Sequence, residues 1–311
     1  MAKIIGPGSL IVDVTGFAPH LPVAGETTKG TTLRFGPGGK GSNQMTAAHR
    51  AGAQAILISR RGDDVLGQIL KKHYESEGMT EQYIVVDSKA ETGSALIEID
   101  ESDAQNRIIV IFAANEQVLE KDILAAEKDF ADCDVVLTQF ETTLEAVESA
   151  KSLAQKYEKP FILNPAPYVS VPQELFYGVD YVTPNETEAE QFTGVKVEGE
   201  ESYRAAAQKF LEMGVKNVIL TLGVKGAYYT DGKRELFVPA LKVKAVETTG
   251  AGDAFNGGLA AALAEKLPID IALKFATCTA AISVTRLGSS PSMPYRHEIL
   301  SLLQKEFGVT L

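Results

Sequence analysis

Short apolar runs alternate with segments of helical periodicity along most of the chain. KIIGPGSL is followed, after an interruption, by SNQMTAAHRAGA, and AILISR precedes VLGQILKKHYESEG. In the second half DVVLTQF precedes TLEAVESAKSLAQKY, YVTPN precedes ETEAEQF, and NVILTL follows YRAAAQKFLEMG. This alternation predicts βαβ units and therefore an α/β fold: a doubly wound, mainly parallel sheet with helices on both faces. In such sheets ligands bind beyond the carboxyl ends of the strands.

Two segments interrupt this alternation. Residues 14–36 carry no helical pattern, and residues 91–113 predict two strands around a polar turn. We interpret both as insertions that build one small β-sheet on a single domain of residues 1–311. A small sheet over the ligand-binding edge would act as a lid that excludes water. The alternative is a pair of hairpins with no function.

The composition excludes several classes of partner. Asp and Glu number 41 against 30 for Lys and Arg, which gives a net charge of -11 and disfavours nucleic acid and anionic membranes. No apolar stretch reaches 18 residues, and the first residues lack the pattern of a signal peptide. The two cysteines suggest neither a disulfide framework nor a metal site, so a reducing, cytoplasmic setting is expected.

The stretch VETTGAGDAFNGG carries the most specific chemistry. Gly250 and Gly252 flank Ala251 and are followed by Asp253, just before an Ala-rich helix. Glycines there let a ligand approach the backbone, and helix N-termini bind phosphate through their N–H groups. Asp253 would lie beside that phosphate and take a proton. The alternative is capping alone, in which the aspartate offsets the helix dipole by about 0.3–1 kcal/mol.

The remaining glycine-rich turns exclude two other nucleotide-binding motifs. The turn at Gly6 starts like a dinucleotide fingerprint, but Ile11 occupies the third glycine position. The Gly-Lys pair at Gly39 is followed by Gly41 instead of Ser or Thr, and Arg34 stands where a P-loop needs its first glycine. A nicotinamide dehydrogenase and a P-loop ATPase are both disfavoured.

Three further segments are candidates for ligand contacts. In GGKGSN, glycines would let Lys40 and Asn43 hydrogen-bond a polyhydroxylated ligand, or the segment is a surface turn. In TPNETE, Asn185 and Glu188 share a helix face and can hold a hydrated Mg²⁺, or they form an acidic first turn. NPAP, from Asn164, indicates a rigid loop.

Taken together and in order, these segments resemble the ribokinase-like carbohydrate kinases, and its ribokinase branch in particular. The resemblance covers nearly the whole chain and rests on GSLIVD, GGKGSNQ, TQFE, NPAP, TPNETEAE, TLGVKG, TTGAGDAFNG and VTRLGSSPS. It implies ATP-dependent phosphorylation of a sugar hydroxyl, with Mg²⁺ as cofactor. It also implies the doubly wound domain with a β lid, and a homodimer that pairs through the lids.

The resemblance implies a role for each matching residue. Asp253 matches the catalytic base, and Gly250, Ala251 and Gly252 match the anion hole. The positions that match sugar contacts are Asp13, Gly39, Lys40, Asn43 and Glu141. The positions that match nucleotide contacts are Asn185, Thr221, Gly223 and Gly226. Glu188 matches the family's Mg²⁺- and phosphate-associated glutamate. The positions that match a monovalent-cation site for K⁺ are Glu247, Thr249, Ser283, Arg286, Gly288 and Ser292.

Two departures from the family pattern stand out. Ile11 replaces the asparagine usual in ribokinases, and an apolar side chain cannot make that hydrogen bond to a sugar hydroxyl. Glu247 replaces the usual aspartate of the cation site and is one methylene longer. The sequence therefore favours a kinase for a pentose such as ribose without fixing the sugar. A nucleoside kinase on the same scaffold is the alternative, and a non-catalytic sugar-binding regulator is disfavoured because Asp253 and its glycines are present.

Overall fold

The main sheet contains strands from both halves of the chain. The computed structural model describes residues 1–102 and 105–311, and in these ranges nine strands pair in the order β13-β12-β11-β10-β9-β8-β1-β4-β5. The pairs from β11 to β5 are parallel, whereas β12 and β13 add an antiparallel edge. The strands are β1 Lys3–Pro7, β4 Gln54–Gly62, β5 Ile84–Asp87, β8 Val135–Thr138, β9 Phe161–Leu163, β10 Tyr181–Val182, β11 Asn217–Thr221, β12 Gly226–Thr230 and β13 Glu235–Pro239.

Helices cover both faces of this sheet, which confirms the predicted fold class. They are α1 Lys40–Arg50, α2 Val65–Glu77, α3 Glu120–Ala125, α4 Glu127–Asp132, α5 Leu144–Lys156, α6 Glu186–Thr193, α7 Glu200–Glu212, α8 Ala251–Ala264, α9 Ile269–Ser283 and α10 Arg296–Phe307. Among the described residues, no helix combines the length and the apolar content that a bilayer crossing needs.

Alternate residues of the central strands face opposite hydrophobic layers. Ile4 joins the cluster formed with α1, α2, α8, α9 and α10, while Ile5 joins the cluster formed with α4, α5 and α7. Phe275 and Phe210 are anchors of the two layers, at 1% and 0% exposure. Burial of such a side chain contributes about 1.5–3 kcal/mol. The short apolar runs therefore form strands buried on both faces, as parallel sheets require.

Local signals fix where the helices start and stop. The Asp64 carboxylate accepts a hydrogen bond from the Gly67 N–H over 2.7 Å and caps α2. That helix ends at Gly78, whose φ of 68° lies in the left-handed region that glycine tolerates. The Thr143 hydroxyl caps α5 in the same way, by accepting from the Ala146 N–H.

A second sheet of four strands stands beside the main sheet. It comprises β2 Ile11–Ala18, β3 Thr32–Gly38, β6 Gly93–Asp100 and β7 Asn106–Ile111, in the order β3-β2-β6-β7. The small sheet predicted from the two insertions is confirmed, but its strands reach beyond the predicted range 14–36, to residues 11 and 38. Residues 103–104 of the predicted insertion 91–113 lie outside the described residues.

A close backbone contact positions α1 at the carboxyl edge of the sheet. A Cβ on Gly41 would lie 2.4 Å from the Ser9 nitrogen, and a Cβ on Gly8 would lie 2.6 Å from the Gly41 Cα. Both positions need glycine because the obstructing atoms belong to the backbone. The first turn of α1 thus packs directly on the turn between β1 and β2.

Candidate active site

The helix α8 opens on the glycine-rich stretch. Gly250, with a φ of 79°, is the residue before the helix, and Asp253 lies in its first turn at 6% exposure. A side chain added at Gly252 would meet no atom within 4 Å, so the first turn borders open space. The Ala251 N–H donates to the Thr248 carbonyl oxygen over 3.2 Å, so an anion would have to share or replace that partner.

Two neutral amides hold the Asp253 carboxylate. The Asn43 Nδ2 donates to Asp253 Oδ2, and the Gln44 Nε2 donates to Asp253 Oδ1, each over 2.9 Å. Both residues lie within the first five positions of α1 and are buried. Because a buried carboxylate is costly unless it is hydrogen-bonded, α1 and α8 depend on each other at this point.

Lys40 and Glu141 meet at the start of α1. The Lys40 backbone N–H and the Ser9 hydroxyl both donate to Glu141 Oε2, over 2.8 and 2.5 Å. Burial by itself lowers the pKa of the Lys40 ammonium, but the negative charges of Asp253, Glu141 and Glu188 outweigh burial and raise that pKa. Burial raises the pKa of Glu141, against the lowering effect of Lys40. One ammonium group therefore serves several carboxylates.

Asp13 brings the small sheet to the same place. Its Oδ2 accepts a hydrogen bond from the Ser289 hydroxyl over 3.0 Å. Burial raises the pKa of Asp13 to about 6, and the nearby charges of Glu141, Glu247 and Asp253 act in the same direction. A cleft of about 230 Å³ opens beside this carboxylate, between the small sheet and the segments that precede α8 and follow α9. It is lined by Asp13, Thr15, Phe17, Arg34, Phe35, Gly36, Ile97, Ile99, Asn106, Ile108, Glu247, Thr249, Leu287, Gly288, Ser289 and Pro291.

Ile11 lies on the strand face that carries Asp13. Side chains two apart on a strand point to the same side, and Ile11 precedes Asp13 by two positions. Its neighbours Leu10 and Val12 join the hydrophobic cluster of the main domain. Ile11 itself is 3% exposed and pairs with Gly38 and Gly93, which carry no side chains. The Ile11 side chain, which departs from the family pattern, therefore points to the same side of the small sheet as Asp13.

The positions predicted for nucleotide lie at the ends of β10 and β11. Asn185 forms a parallel bridge with Thr221. Gly223 and Gly226 have φ values of 51° and 126° in the turn that follows β11. A Cβ on Gly226 would lie 2.1 Å from the Val238 carbonyl oxygen, so this turn requires glycine.

Asn185 and Glu188 form a reciprocal cap of α6. The Asn185 Oδ1 accepts from the Glu188 N–H over 2.8 Å, and the Glu188 Oε2 accepts from the Asn185 N–H over 2.9 Å. The two residues thus form an acidic first turn that also caps the helix, and the cap uses one of the two Glu188 carboxylate oxygens. Burial raises the pKa of Glu188.

The side chains of the predicted cation residues make several different contacts. The Glu247 Oε2 accepts from the Gly288 N–H over 2.9 Å, and Thr249 lines the same cleft. The Arg286 guanidinium pairs instead with Glu298. The Ser283 and Ser292 hydroxyls donate to the carbonyl oxygens of Ala280 and Ser289. Within the described ranges, no group of three or more His, Cys, Asp or Glu side chains forms a metal site.

Several polar residues with no role predicted from the sequence join the hydrogen-bond network of the site. Gln44 lies in the GGKGSNQ motif and Asn164 in the NPAP motif. Both residues could be found from the sequence, but their contact with each other could not. Gln44 Nε2 also donates to Asn164 Oδ1, and Asn164 Nδ2 donates to the Thr183 carbonyl oxygen. The further members of this network are Gln139, Asn256, Ser289 and Ser290.

Comparisons with known proteins identify the family of the chain. The sequence profile of the pfkB family carbohydrate kinases matches residues 1–296. The ribokinase of Haemophilus influenzae is 38% identical over 297 residues, which are 96% of this chain and 97% of that protein. The deoxyribokinase of Salmonella typhi is 34% identical over 299 residues, 95% and 97% of the two chains. The structure of Arabidopsis thaliana ribokinase complexed with ribose and ATP superposes with a TM-score of 0.91 at 29% identity, covering 98% of this chain and 99% of that one.

The fold and the site thus define a sugar kinase, and the chain belongs to the pfkB family of carbohydrate kinases. Within that family it is a ribokinase-like, ATP-dependent sugar kinase.

The raised pKa of Asp13 predicts an acid limit of sugar use. Asp13 is charged above about pH 6 and protonated below it, and only the charged form accepts hydrogen bonds with both oxygens. We expect kcat/KM for the sugar to fall as the pH drops through about 6. In the Asp13→Asn variant kcat/KM should be lower throughout and should lose that acid limb. A pH profile with an unchanged limb in the variant would assign the titration to another group.

Proposed function

We propose that this kinase transfers the γ-phosphoryl group of ATP to a hydroxyl of a pentose by direct in-line displacement. The observation that carries the mechanism is the buried Asp253 carboxylate at the start of α8, beside open space at Gly252. Asp253 accepts the proton of the sugar hydroxyl as its oxygen attacks the γ-phosphorus. The N–H groups of residues 250–252 and the helix dipole stabilise the charge on the transferring group.

The sugar would bind beside the small sheet, where Asp13 lines the cleft. Lys40, Asn43 and Glu141, at the start of α1 and after β8, would complete its contacts. Gly39 has a φ of 87°, and a Cβ there would lie 2.9 Å from the Ile11 nitrogen, so its glycine keeps this corner open. The small sheet would close over the sugar and exclude water from the transfer.

ATP would lie against Asn185 and the turn from Thr221 to Gly226. We propose that Glu188 holds Mg²⁺ through a water molecule, because its cap with Asn185 uses only one carboxylate oxygen. When bound, Mg²⁺ neutralises phosphate charge. A monovalent cation such as K⁺ would rest on Glu247 and on backbone carbonyls near Thr249, Ser283, Arg286, Gly288 and Ser292.

The identity of the pentose turns on Ile11. An isoleucine cannot hydrogen-bond a hydroxyl, and a buried hydroxyl without a partner costs about 1–3 kcal/mol. This favours a pentose that lacks one hydroxyl, and a deoxyribokinase is among the relatives. A deoxypentose such as 2-deoxyribose is therefore our second candidate beside ribose.

A panel of acceptors tests this function and its specificity together. We expect ADP release with ribose or 2-deoxyribose, measured with and without K⁺, and little with ketohexoses or nucleosides. The Ile11→Asn variant should gain about 10-fold for ribose relative to 2-deoxyribose, because the amide supplies the missing hydrogen bond. Preferential turnover of nucleosides would favour the nucleoside kinase, and an unchanged sugar preference in Ile11→Asn would remove this residue from specificity.

The Asp253→Asn variant tests the base. The amide keeps the shape of the side chain but cannot accept the proton, so kcat should fall about 10²–10⁴-fold. ATP affinity, measured by calorimetry without sugar, should stay within about twofold. Near-normal turnover of Asp253→Asn would end the assignment of this residue as base.

We also propose that two copies pair through the small sheets. The register places Phe35, Val14, Leu96 and Ile109 in one row across all four strands. Phe35, Leu96 and Ile109 are 52%, 43% and 63% exposed, and an apolar row of this kind marks an interface. A second copy offers the same row and the same shape, which suits a two-fold symmetric contact.

Light scattering tests the pairing. The wild-type chain should have twice the chain mass, and Ile109→Lys should shift it to the monomer, because a charge in an apolar interface is costly. Val65→Lys, at a position 78% exposed on α2, is the matched control and should stay dimeric. A monomeric wild type, or an Ile109→Lys variant that still pairs, would contradict the lid interface.

A further inference from the structure

The two oxygens of the Asp253 carboxylate have different surroundings. Oδ1 accepts from Gln44 Nε2 and Oδ2 accepts from Asn43 Nδ2, each over 2.9 Å. Gln44 and Asn43 are neighbours in the sequence but reach the carboxylate from different sides. The other hydrogen bonds of each amide decide whether that amide can move away from Asp253.

Gln44 is fixed by a second layer of amides. Gln44 is fully buried, and its Oε1 accepts from Gln139 Nε2 over 2.6 Å. Its Nε2 donates its second hydrogen to Asn164 Oδ1 over 2.9 Å. A reversed Gln44 amide would place its oxygen against the charged Asp253 oxygen, so a single orientation is compatible with an ionised carboxylate.

Gly8, in the turn between β1 and β2, leaves room for this second layer of amides. A Cβ on Gly8 would lie 2.8 Å from Gln139 Oε1. Gln139 is itself fully buried and directly follows β8. The support of Gln44 thus comes from the β1–β2 turn and from the ends of β8 and β9, which are parts of the rigid sheet.

Asn43 is held less firmly. Its Oδ1 accepts from the Ser290 hydroxyl over 2.6 Å, and a hydroxyl rotates without loss of packing. Asn43 also lies in the first turn of α1, which the proposed function assigns to the sugar. A sugar hydroxyl can therefore replace Asp253 as the acceptor of the Asn43 amide, whereas nothing comparable competes for Gln44.

We propose that Gln44 is a positioning residue for the transfer: it retains Oδ1 throughout, so that Oδ2 is the oxygen that takes the sugar proton once Asn43 turns to the sugar. This inference rests on the proposed function. The hydroxyl proton passes to Oδ2, the sugar oxygen forms its bond to the γ-phosphorus, and the bond from that phosphorus to the bridging oxygen of ADP breaks. Gln44 exchanges no proton and fixes the angle at which Oδ2 meets the hydroxyl.

A double-mutant cycle between Gln44 and Asp253 tests the proposal. Gln44→Met keeps the length of the side chain and removes both donors. A hydrogen bond to a charged group contributes about 1.5–3 kcal/mol, so kcat should fall about 10- to 100-fold. KM for ATP and for the sugar should stay within about twofold. In the Asp253→Asn background the same substitution should cost nothing further, because its target has already lost its function.

Two matched variants separate positioning from a general structural role. Gln68→Met makes the same change at an exposed position of α2 and should leave kcat unchanged. Asn43→Ala should raise the sugar KM, which contrasts with the kcat effect expected one residue later. If Gln44→Met does not fold, Gln44→Glu serves in the same cycle, since it keeps the shape and places an acid against Oδ1.

The outcomes distinguish this inference from the function on which it rests. Equal losses of kcat for Gln44→Met in the two backgrounds, or a raised KM at unchanged kcat, would overturn the positioning role alone. A wild-type chain that phosphorylates no sugar in the panel would overturn both. The positioning role is supported if Gln44→Met lowers kcat only when Asp253 is intact and leaves the KM values for ATP and sugar unchanged.

Discussion

The site depends on keeping one carboxylate charged inside the protein. Asp253 is almost fully buried, and its charge is held by amides of Asn43 and Gln44 and by the N-terminus of α8. Neutral donors compensate the burial of a carboxylate without cancelling its charge. The contact also ties α1 to α8, helices that are far apart in the sequence. The fold and the proposed chemistry therefore meet in a single interaction.

Acidic residues outnumber basic ones around that contact, which bears on how ATP is received. Glu141, Glu188 and Asp253 act on Lys40, and Asp13 lies near Glu141 and Asp253. Burial raises the pKa of Asp13, Glu141 and Glu188. A polyphosphate approaching such a site meets repulsion that one ammonium cannot offset. Cations bound with the nucleotide would offset this repulsion, because they reverse the local sign of charge.

The sequence predicted the features that depend on local pattern. Strand and helix alternation, the small sheet and the turn before Asp253 were all readable, since periodicity and glycine spacing are local signals. The Gln44 network was not, because it joins the ends of separate strands and only the fold brings them together. The antiparallel edge of β12 and β13 was not predicted. The residues of β12, GAYYT, favour a strand, but they are buried on both faces and show no apolar–polar alternation. At Asn185 and Glu188 the sequence left two interpretations open, and the observed cap leaves an oxygen for the second.

The proposed function assigns specificity and catalysis to different parts of the molecule. Ile11 and Asp13 lie on β2 of the small sheet, whereas Asp253 and its amides belong to helices of the main domain. A substitution on β2 can change which hydroxyl finds a partner without moving the base, since the base is fixed by the network behind Gln44. Substrate choice can then vary by about the worth of one hydrogen bond while the chemistry stays constant. Relatives named for ribose and for deoxyribose on one fold are what this division of labour would produce.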